Sequence, residues 1–581
     1  MKLIVAKTIM KGEETLEIAR LGPEQRMRAI HQMSEQTFDV IVIGGGVTGA
    51  GTALDAASRG LMVALLEAKD LASGTSSRSG KTLHGGLRYL QQLNFSLVRQ
   101  AAYERNLMVN RLCPHLTWPT PFLLPLVHRG WERIYMGSGV LLYDLIGGKR
   151  PSELPHHRHL TKKGALREMP SLRSDQITGA LQYYDVIFDD ARHTLTLART
   201  AAQYGAVIGT RLEVTGMLFE GQRVVGVKVH DLETSQELKV RGRCVINATG
   251  AWADLVQQLA GGEALMEIRP AKGIHIVVPK ERIDSHTGLI APTTDSVLVV
   301  RPWWQYWIIG TTDTPWDYDR SSPVANATEI NYLLTEINKW LSTPLKREDI
   351  LGVYAGVRPL LSGKGTTTAA LSRDHAVLKG PEGLFTITGG KYTTYRVMAK
   401  DVIDAAMGMS GGLAPPSATA TTPLLGAEGW HILLNQRERL AAKTGLRTQQ
   451  IDHLSGRYGS LIEEIFALLT ERPELARSVE GASEYLEAEI FYAVSNEGAF
   501  HLEDILVRRT HIAMETQDRG LVAATRVAHL AGEVLGWDTT RRKQEIDRYA
   551  VQVEADQLAE QEPTDATAVS ARQSLLSKIN G

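Results

Sequence analysis

From Phe38 onward the chain alternates in blocks. FDVIVIG is a short apolar run closed by glycines, VTGAGTALDAAS places small residues at helical spacing and stops before Gly60, and LMVALLEA is a second apolar run ending at Glu67. Apolar runs of this length between turn residues are buried strands, and the small-residue segment is a helix able to lie close against a sheet. The same pattern returns in CVINATGAW, Cys244 to Trp252, and in LFTITGGKYTTYRVMAKDVIDAAM from Leu384, where Thr393 or Thr394 stands to cap a helix.

Other periods fill the intervals. Asp190 to Tyr204 sets Ala191, Leu195, Ala198, Ala201 and Ala202 on one helical face, and VVGVKVHDL alternates as a hairpin strand does. KGIHIVVP, SVLVVRPWWQYWIIGTTD and YAGVRPLL, between about 265 and 365, predict a second, largely antiparallel sheet. In WERIYMGSGVLLYDLIGGKR, Ile134, Leu141, Leu142, Leu145 and Ile146 share a face flanked by aromatic and basic residues, the pattern of a helix lying in a membrane interface and also of an ordinary packed helix. GMSGGLAPPSATATT is a linker by composition, Leu424 to Tyr549 is charged and helical in period, and the final polar residues predict a poorly ordered tail.

These signals predict an organisation. Residues 1–37 form a polar, helical extension. Residues 38–410 form an α/β unit whose nucleotide-binding segments are about 38–110, 180–250 and 350–410, with an inserted antiparallel-sheet substrate domain mainly from 110–180 and 251–350. A linker (411–423), an all-α domain (424–550) and a polar tail (551–581) follow.

Composition narrows the picture. With 581 residues, 43% hydrophobic, and 64 basic against 65 acidic side chains for a net charge of -1, the chain is globular and carries no global pull toward nucleic acid. Cys113 and Cys244 stand in no metal or redox spacing, so two buried thiols in a reducing compartment and no metal site are expected. MKLIVAKTIMKGEE is too short an apolar run for a secretory signal, and no stretch reaches a spanning helix. A cytoplasmic protein, attached at most to a membrane surface, is expected.

The first block carries chemistry. Gly44, Gly46 and Gly49 form a G-x-G-x-x-G between strand and helix: the first permits the tight turn, the second admits a pyrophosphate, and the third allows helix and strand to touch. Glu67, at the end of the second strand, is placed to accept hydrogen bonds from an adenosine ribose. A nicotinamide enzyme continues into further βα repeats. Here SGTSSRSGKTLHGGLRYL follows instead, a small polar stretch suited to an extended FAD, with Thr75, Ser76, Ser77, Lys81, His84, Gly85, Gly86 and Leu87 along the cofactor. Gly250 and Gly390, with Thr393, belong to the returning turns and are expected near the same ligand. Lys391 and the helix end beside it suit negative charge at the flavin's pyrimidine edge.

IGGGVTGAGTALDAASRGL, LLEAKDLASGTSSRSGKTLHGGLRYL, KGIHIVVP, IIGTTD, GVRPLL and GGKYTTYR, in this order, resemble the FAD-dependent, quinone-reducing glycerol-3-phosphate dehydrogenases over about residues 38–410, and EGAFHLEDILVRRT resembles that family's helical C-terminal domain. Two positions depart from the pattern: Gly80, where serine usually precedes the lysine, and Arg301, where an apolar residue is expected. The resemblance implies a Rossmann-like FAD domain of the glutathione-reductase/D-amino-acid-oxidase type. It also implies oxidation of sn-glycerol 3-phosphate to dihydroxyacetone phosphate, electron delivery to quinone at an anionic membrane surface, and a homodimer.

The same resemblance implies roles. Hydride transfer needs C2 of the alcohol within about 3 to 3.5 Å of its acceptor and a group to take the hydroxyl proton. His275 is the candidate base, Arg358 polarises the C2 oxygen, and Arg88, Tyr89 and Lys391 hold the phosphate. Three other readings stay open: a glycerol-3-phosphate oxidase using oxygen, a flavin amine oxidase of the sarcosine or glycine oxidase kind, and a flavin-bound sensor without turnover.

Overall fold

The structure, a computed structural model, describes residues 19–90, 94–128, 130–146, 154–261, 265–293, 297–361, 375–409 and 415–577. The apolar runs of the first block become adjacent strands of an eight-stranded sheet. Its parallel core lies in the spatial order Leu384–Gly389, Glu237–Asn247, Thr37–Ile43, Val63–Glu67, Val207–Thr210. Val40, Ile41 and Val42 are fully buried because helices cover one face and the hairpin Leu212–Glu220/Arg223–Asp231 with Pro23–Glu35 covers the other.

A ten-stranded, mostly antiparallel sheet makes the second layer, with His275 on its long strand Ile268–Pro279 paired to both Tyr306–Gly310 and Gly352–Leu361. Gly179–Phe188, expected among the nucleotide-binding segments, pairs entirely within this sheet, and so does Gly352–Leu361, where YAGVRPLL takes the antiparallel place its pattern predicts although it falls within the 350–410 segment expected to bind nucleotide. Their hydrophobic alternation fits either layer, and pairing partners decide the matter.

The C-terminal part departs furthest from expectation. The tail is helical, Thr539–Ala559 and Asp565–Leu576, with Ala559 and Ala568 fully buried. It folds back onto the substrate domain through Asp565, which pairs with Lys272 and accepts from Asn326 at 2.6 Å, and through the Glu560 carbonyl, which accepts from Arg347 at 2.8 Å, while the Glu560 carboxylate pairs with Arg519 of the helical domain at 3.0 Å. The second half of the expected linker is also held down, since Ser417 donates to Asp55 and Arg59 reaches the Pro415 carbonyl. The helix Asp190–Gln203, read as one-faced, is buried almost all round because the C-terminal domain covers its polar side, where Arg192 pairs with Glu497 at 2.5 Å.

One latch between these parts titrates. His501 lies between Glu233 of the nucleotide domain, 2.8 Å from Nε2, and Glu545 of the helix Thr539–Ala559, 3.0 Å from Nδ1. Burial opposes its charge, but the hydrogen bonds with Glu233 and Glu545 outweigh burial and raise its pKa to about 9. A raised folded pKa contributes stability that is complete below the unfolded value of about 6.5 and is lost as pH rises through about 9. Thermal unfolding should therefore show the wild type losing stability between these pH values, while His501→Gln, already lacking the contribution, stays flat. Parallel curves for the two proteins would remove His501 from the latch.

Candidate active site

The glycine turn is built as its spacing requires. Gly44 sits at φ +106°, where a Cβ would meet the Ala248 carbonyl at 2.9 Å, and a Cβ on Gly49 would come to 1.9 Å from the Gly44 carbonyl. At Gly46 an added Cβ would meet only the Ser76 hydroxyl, at 3.2 Å, so the backbone is bare toward the cavity. Ser76 accepts from the Val47 amide at 2.9 Å, and Glu67 accepts from the Gly45 and Lys69 amides at 2.6 and 2.7 Å. Sequence and local structure here make a cradle for a pyrophosphate at a helix N-terminus.

A cavity of about 1400 Å³ runs from this cradle between the two sheets. It exceeds the roughly 300 to 1000 Å³ of a site for one small ligand. Glu67 and Gly46 line one end, Gly250, Gly390, Lys391 and Thr393 the middle, and His84, Gly86, Leu87, His275 and Arg358 the other. Bare glycine backbone, an acid at the strand end and this length fit an extended dinucleotide such as FAD with a substrate beyond it.

Several expected contacts fall elsewhere. Lys81 is off the cavity wall, fully buried and paired with Asp190 at 2.5 Å, so it anchors the turn to the helix Asp190–Gln203. Gly85 is also off the wall: its amide donates to the Tyr143 hydroxyl at 2.7 Å, and a Cβ there would clash with that oxygen. Ser77 and Gly49 lie behind the wall, and Thr75, on the wall, donates to the Val357 carbonyl at 2.6 Å. Residues Tyr392–Thr394 form a 3-10 turn without a side-chain cap, and the Thr394 hydroxyl donates back to Lys391 at 3.2 Å. Arg88 and Tyr89 occupy the short helix Leu87–Leu90, and their side chains lie outside the described residues.

At the far end the sheet delivers a compact polar group. His275 is 2% exposed, neither ring nitrogen has a hydrogen-bond partner among the described residues, and Tyr354 stacks on its ring, centroids 4.8 Å apart and planes 15° apart. Burial, then the charges of Arg301, Arg358 and Lys81, hold its proton affinity well below the usual histidine range, so the ring is neutral at pH 7. The Tyr354 hydroxyl donates to the Ser79 carbonyl at 3.1 Å and ties the stack to the glycine-rich loop. Arg358 is aimed by the GTTD turn, donating to Asp313 at 2.9 Å and to the Thr311 hydroxyl at 3.1 Å. A neutral imidazole beside an oriented guanidinium can accept a proton from an alcohol while polarising its oxygen.

Sequence reasoning missed three parts. Asp313 and Thr311 were visible in IIGTTD, but their task appears only once strand pairing brings Arg358 alongside. Glu503 and Arg508 of the C-terminal domain and Gln552 and Arg572 of the tail line the cavity, a placement no local signal carries. An apolar arm, lined by Phe122, Leu124, Met136, Ile290, Val297 and Val299, leads away from His275 to the helix Trp131–Ile146. That helix buries Val140 and Tyr143 and leaves Ile134 74% and Leu145 70% exposed, with Trp131, Tyr135, Leu141 and Leu142 also outward and Ile146 partly buried.

Comparison with known proteins follows the same division. Residues 39–405 match the family described as FAD dependent oxidoreductase, and residues 417–542 match the C-terminal domain of alpha-glycerophosphate oxidase. The chain is 49% identical over 564 residues to a glycerol-3-phosphate dehydrogenase of Mycobacterium leprae, covering 97% of this chain and 96% of the relative. It is 37% identical over 553 residues to the mitochondrial glycerol-3-phosphate dehydrogenase of Homo sapiens, covering 91% and 75%. A glycerol-3-phosphate dehydrogenase from Bacillus halodurans, solved in complex with FAD, superposes with a TM-score of 0.75 at 27% identity, covering 92% of this chain and 98% of that one.

Proposed function

The chain belongs to the FAD-dependent oxidoreductases and, among them, to the glycerol-3-phosphate dehydrogenases, and on that premise we propose how its residues divide the reaction and where the electrons go. FAD, when bound, supplies the hydride acceptor. The cradle of Gly44, Gly46, Ser76 and Glu67 holds its dinucleotide part, and the turn at Gly389 to Thr393 meets the ring system. His275 accepts the C2 hydroxyl proton. Arg358, fixed by Asp313 and Thr311, polarises the C2 oxygen, and Arg88, Tyr89 and Lys391 hold the phosphate dianion, for which arginine and lysine charges are suited.

The electrons pass to a quinone at a membrane surface. One observation carries this reading: the apolar arm reaches Met136, whose helix turns Ile134 and Leu145 to solvent. A lipophilic acceptor would enter there without crossing the polar end. No helix among the described residues is long and apolar enough to cross a membrane, and the exposed apolar face of Trp131–Ile146 is suited to lie in the plane of an interface.

Charging that face tests the reading. Withdrawing a buried aliphatic side chain costs about 1.5 to 3 kcal/mol, so Ile134→Glu/Leu145→Glu should weaken co-sedimentation with vesicles of anionic lipid at least about tenfold. Quinone reduction should fall with it, while reduction of a water-soluble dye by glycerol 3-phosphate stays at the wild-type rate. Undiminished vesicle binding would contradict the reading. Stoichiometric peroxide under air, with no quinone turnover, would favour the oxidase.

A further inference from the structure

Arg301 enters the cavity from the strand Val297–Trp303, 3% exposed, and its Nε and Nη1 have no hydrogen-bond partner among the described residues. Among the described residues three cations face His275, and two are neutralised: Lys81 by Asp190 at 2.5 Å and Arg358 by Asp313 at 2.9 Å. Arg301 is the third. Its Nη1 and Nη2 and the His275 Nε2 each stand 3.5 Å from the point a Cβ on Gly80 would occupy, so guanidinium and imidazole lie within twice that distance of each other. A guanidinium kept from water without a counter-charge is unfavourable unless its charge is used.

We propose that Arg301 is the positioning charge of the reaction centre: it adds to burial in holding His275 as the free base and faces the C2 oxygen as that oxygen gives its proton to His275. The proposal rests on the reading that His275 takes this proton. The O–H bond breaks with its proton going to a ring nitrogen of His275, the C2–H bond breaks with the hydrogen and its electron pair leaving as the hydride that FAD would accept when bound, and the C2=O bond forms. Arg301 gives neither proton nor electron. Burial lowers its own pKa to about 10, so it stays cationic through neutral pH. Among the described residues, the other groups facing His275 are Arg358 and the Tyr354 ring, both from the strand Gly352–Leu361, and Lys81 from the turn after Ser79. None of them supplies an unbalanced charge.

Arg301→Met and Arg301→Lys holoenzymes test this. Methionine removes an unpaired buried charge at similar length, so a folded, FAD-loaded protein is expected. The first readout is independent of turnover: the titration of the His275 ring in protein labelled with ¹³C-histidine, its resonance identified by loss in His275→Gln. A like charge at this range shifts a pKa by about one unit or more, so the midpoint should rise by about that much in Arg301→Met and stay near the wild type in Arg301→Lys. The acid limb of flavin bleaching by glycerol 3-phosphate should move by the same amount. An unmoved midpoint in Arg301→Met overturns the proposal. So does weaker binding of inorganic phosphate with an unmoved pH profile, since Arg301 would then be a phosphate ligand. A His275→Gln enzyme bleached at the wild-type rate would instead sink the parent reading, whatever the titration shows.

Discussion

His275→Ala should keep its FAD, bind glycerol 3-phosphate within a few-fold of the wild type, and bleach the flavin about 10² to 10⁴ times more slowly at saturating substrate. The ring is buried, stacked on Tyr354, and has both nitrogens free among the described residues. A histidine held well below its usual proton affinity is already deprotonated at pH 7, so it can accept the alcohol's proton without first losing one. Removing it takes away the acceptor and leaves Arg358, with its Asp313 and Thr311 partners, in place. Rapid anaerobic mixing separates the limiting rate from the binding constant. A loss confined to binding would reassign His275 to substrate holding.

Asp70→Ala should destabilise the protein by about 3 to 5 kcal/mol, the cost of breaking a buried ion pair from one side. Asp70 is 1% exposed and takes Arg509 at 2.7 and 2.8 Å and Arg508 at 2.6 Å, while Arg508 and Arg211 both pair with Asp504, at 2.5 and 2.7 Å. The network joins the loop after the second nucleotide strand to the C-terminal segment Asp504–Arg509. Arg508 also lines the cavity. Deleting the carboxylate leaves the buried Arg509 with only the Glu497 carbonyl among the described residues and takes one of three carboxylates from Arg508, which keeps Asp504 and Glu503, so the domains should part at lower temperature and release FAD in the same transition. Thermal unfolding followed by flavin fluorescence measures both. A wild-type melting temperature in Asp70→Ala would show that these charges are solvated after all.

How much was legible depends on how local each cause is. The geometry of the glycine turn was legible in its spacing, since Gly49 packs against the Gly44 carbonyl five residues earlier, whereas the clearance of Gly44 is set by Ala248, just after a neighbouring strand. The place of Glu67 and His275 on the cavity wall was readable because a polar residue closing or interrupting an apolar strand needs a reason. Lys81 was misread because a lysine in a glycine-rich stretch looks aimed at a ligand, and only the fold brings Asp190 to it across more than a hundred residues. The helical tail was missed because polar helices held by Lys272–Asp565 and Arg519–Glu560 show little hydrophobic period. Arg301 stood out in sequence as a departure from the family pattern, and its meaning waited on the strand pairing that sets it near His275.

The account is tested most directly by anaerobic mixing with glycerol 3-phosphate, followed by addition of a quinone in anionic vesicles. The oxidised flavin band should bleach completely with one equivalent of dihydroxyacetone phosphate formed, and should return on addition of quinone without oxygen. A band that bleaches but returns only with air, releasing peroxide, would contradict the membrane half of the account. A band that glycerol 3-phosphate leaves unchanged would contradict all of it.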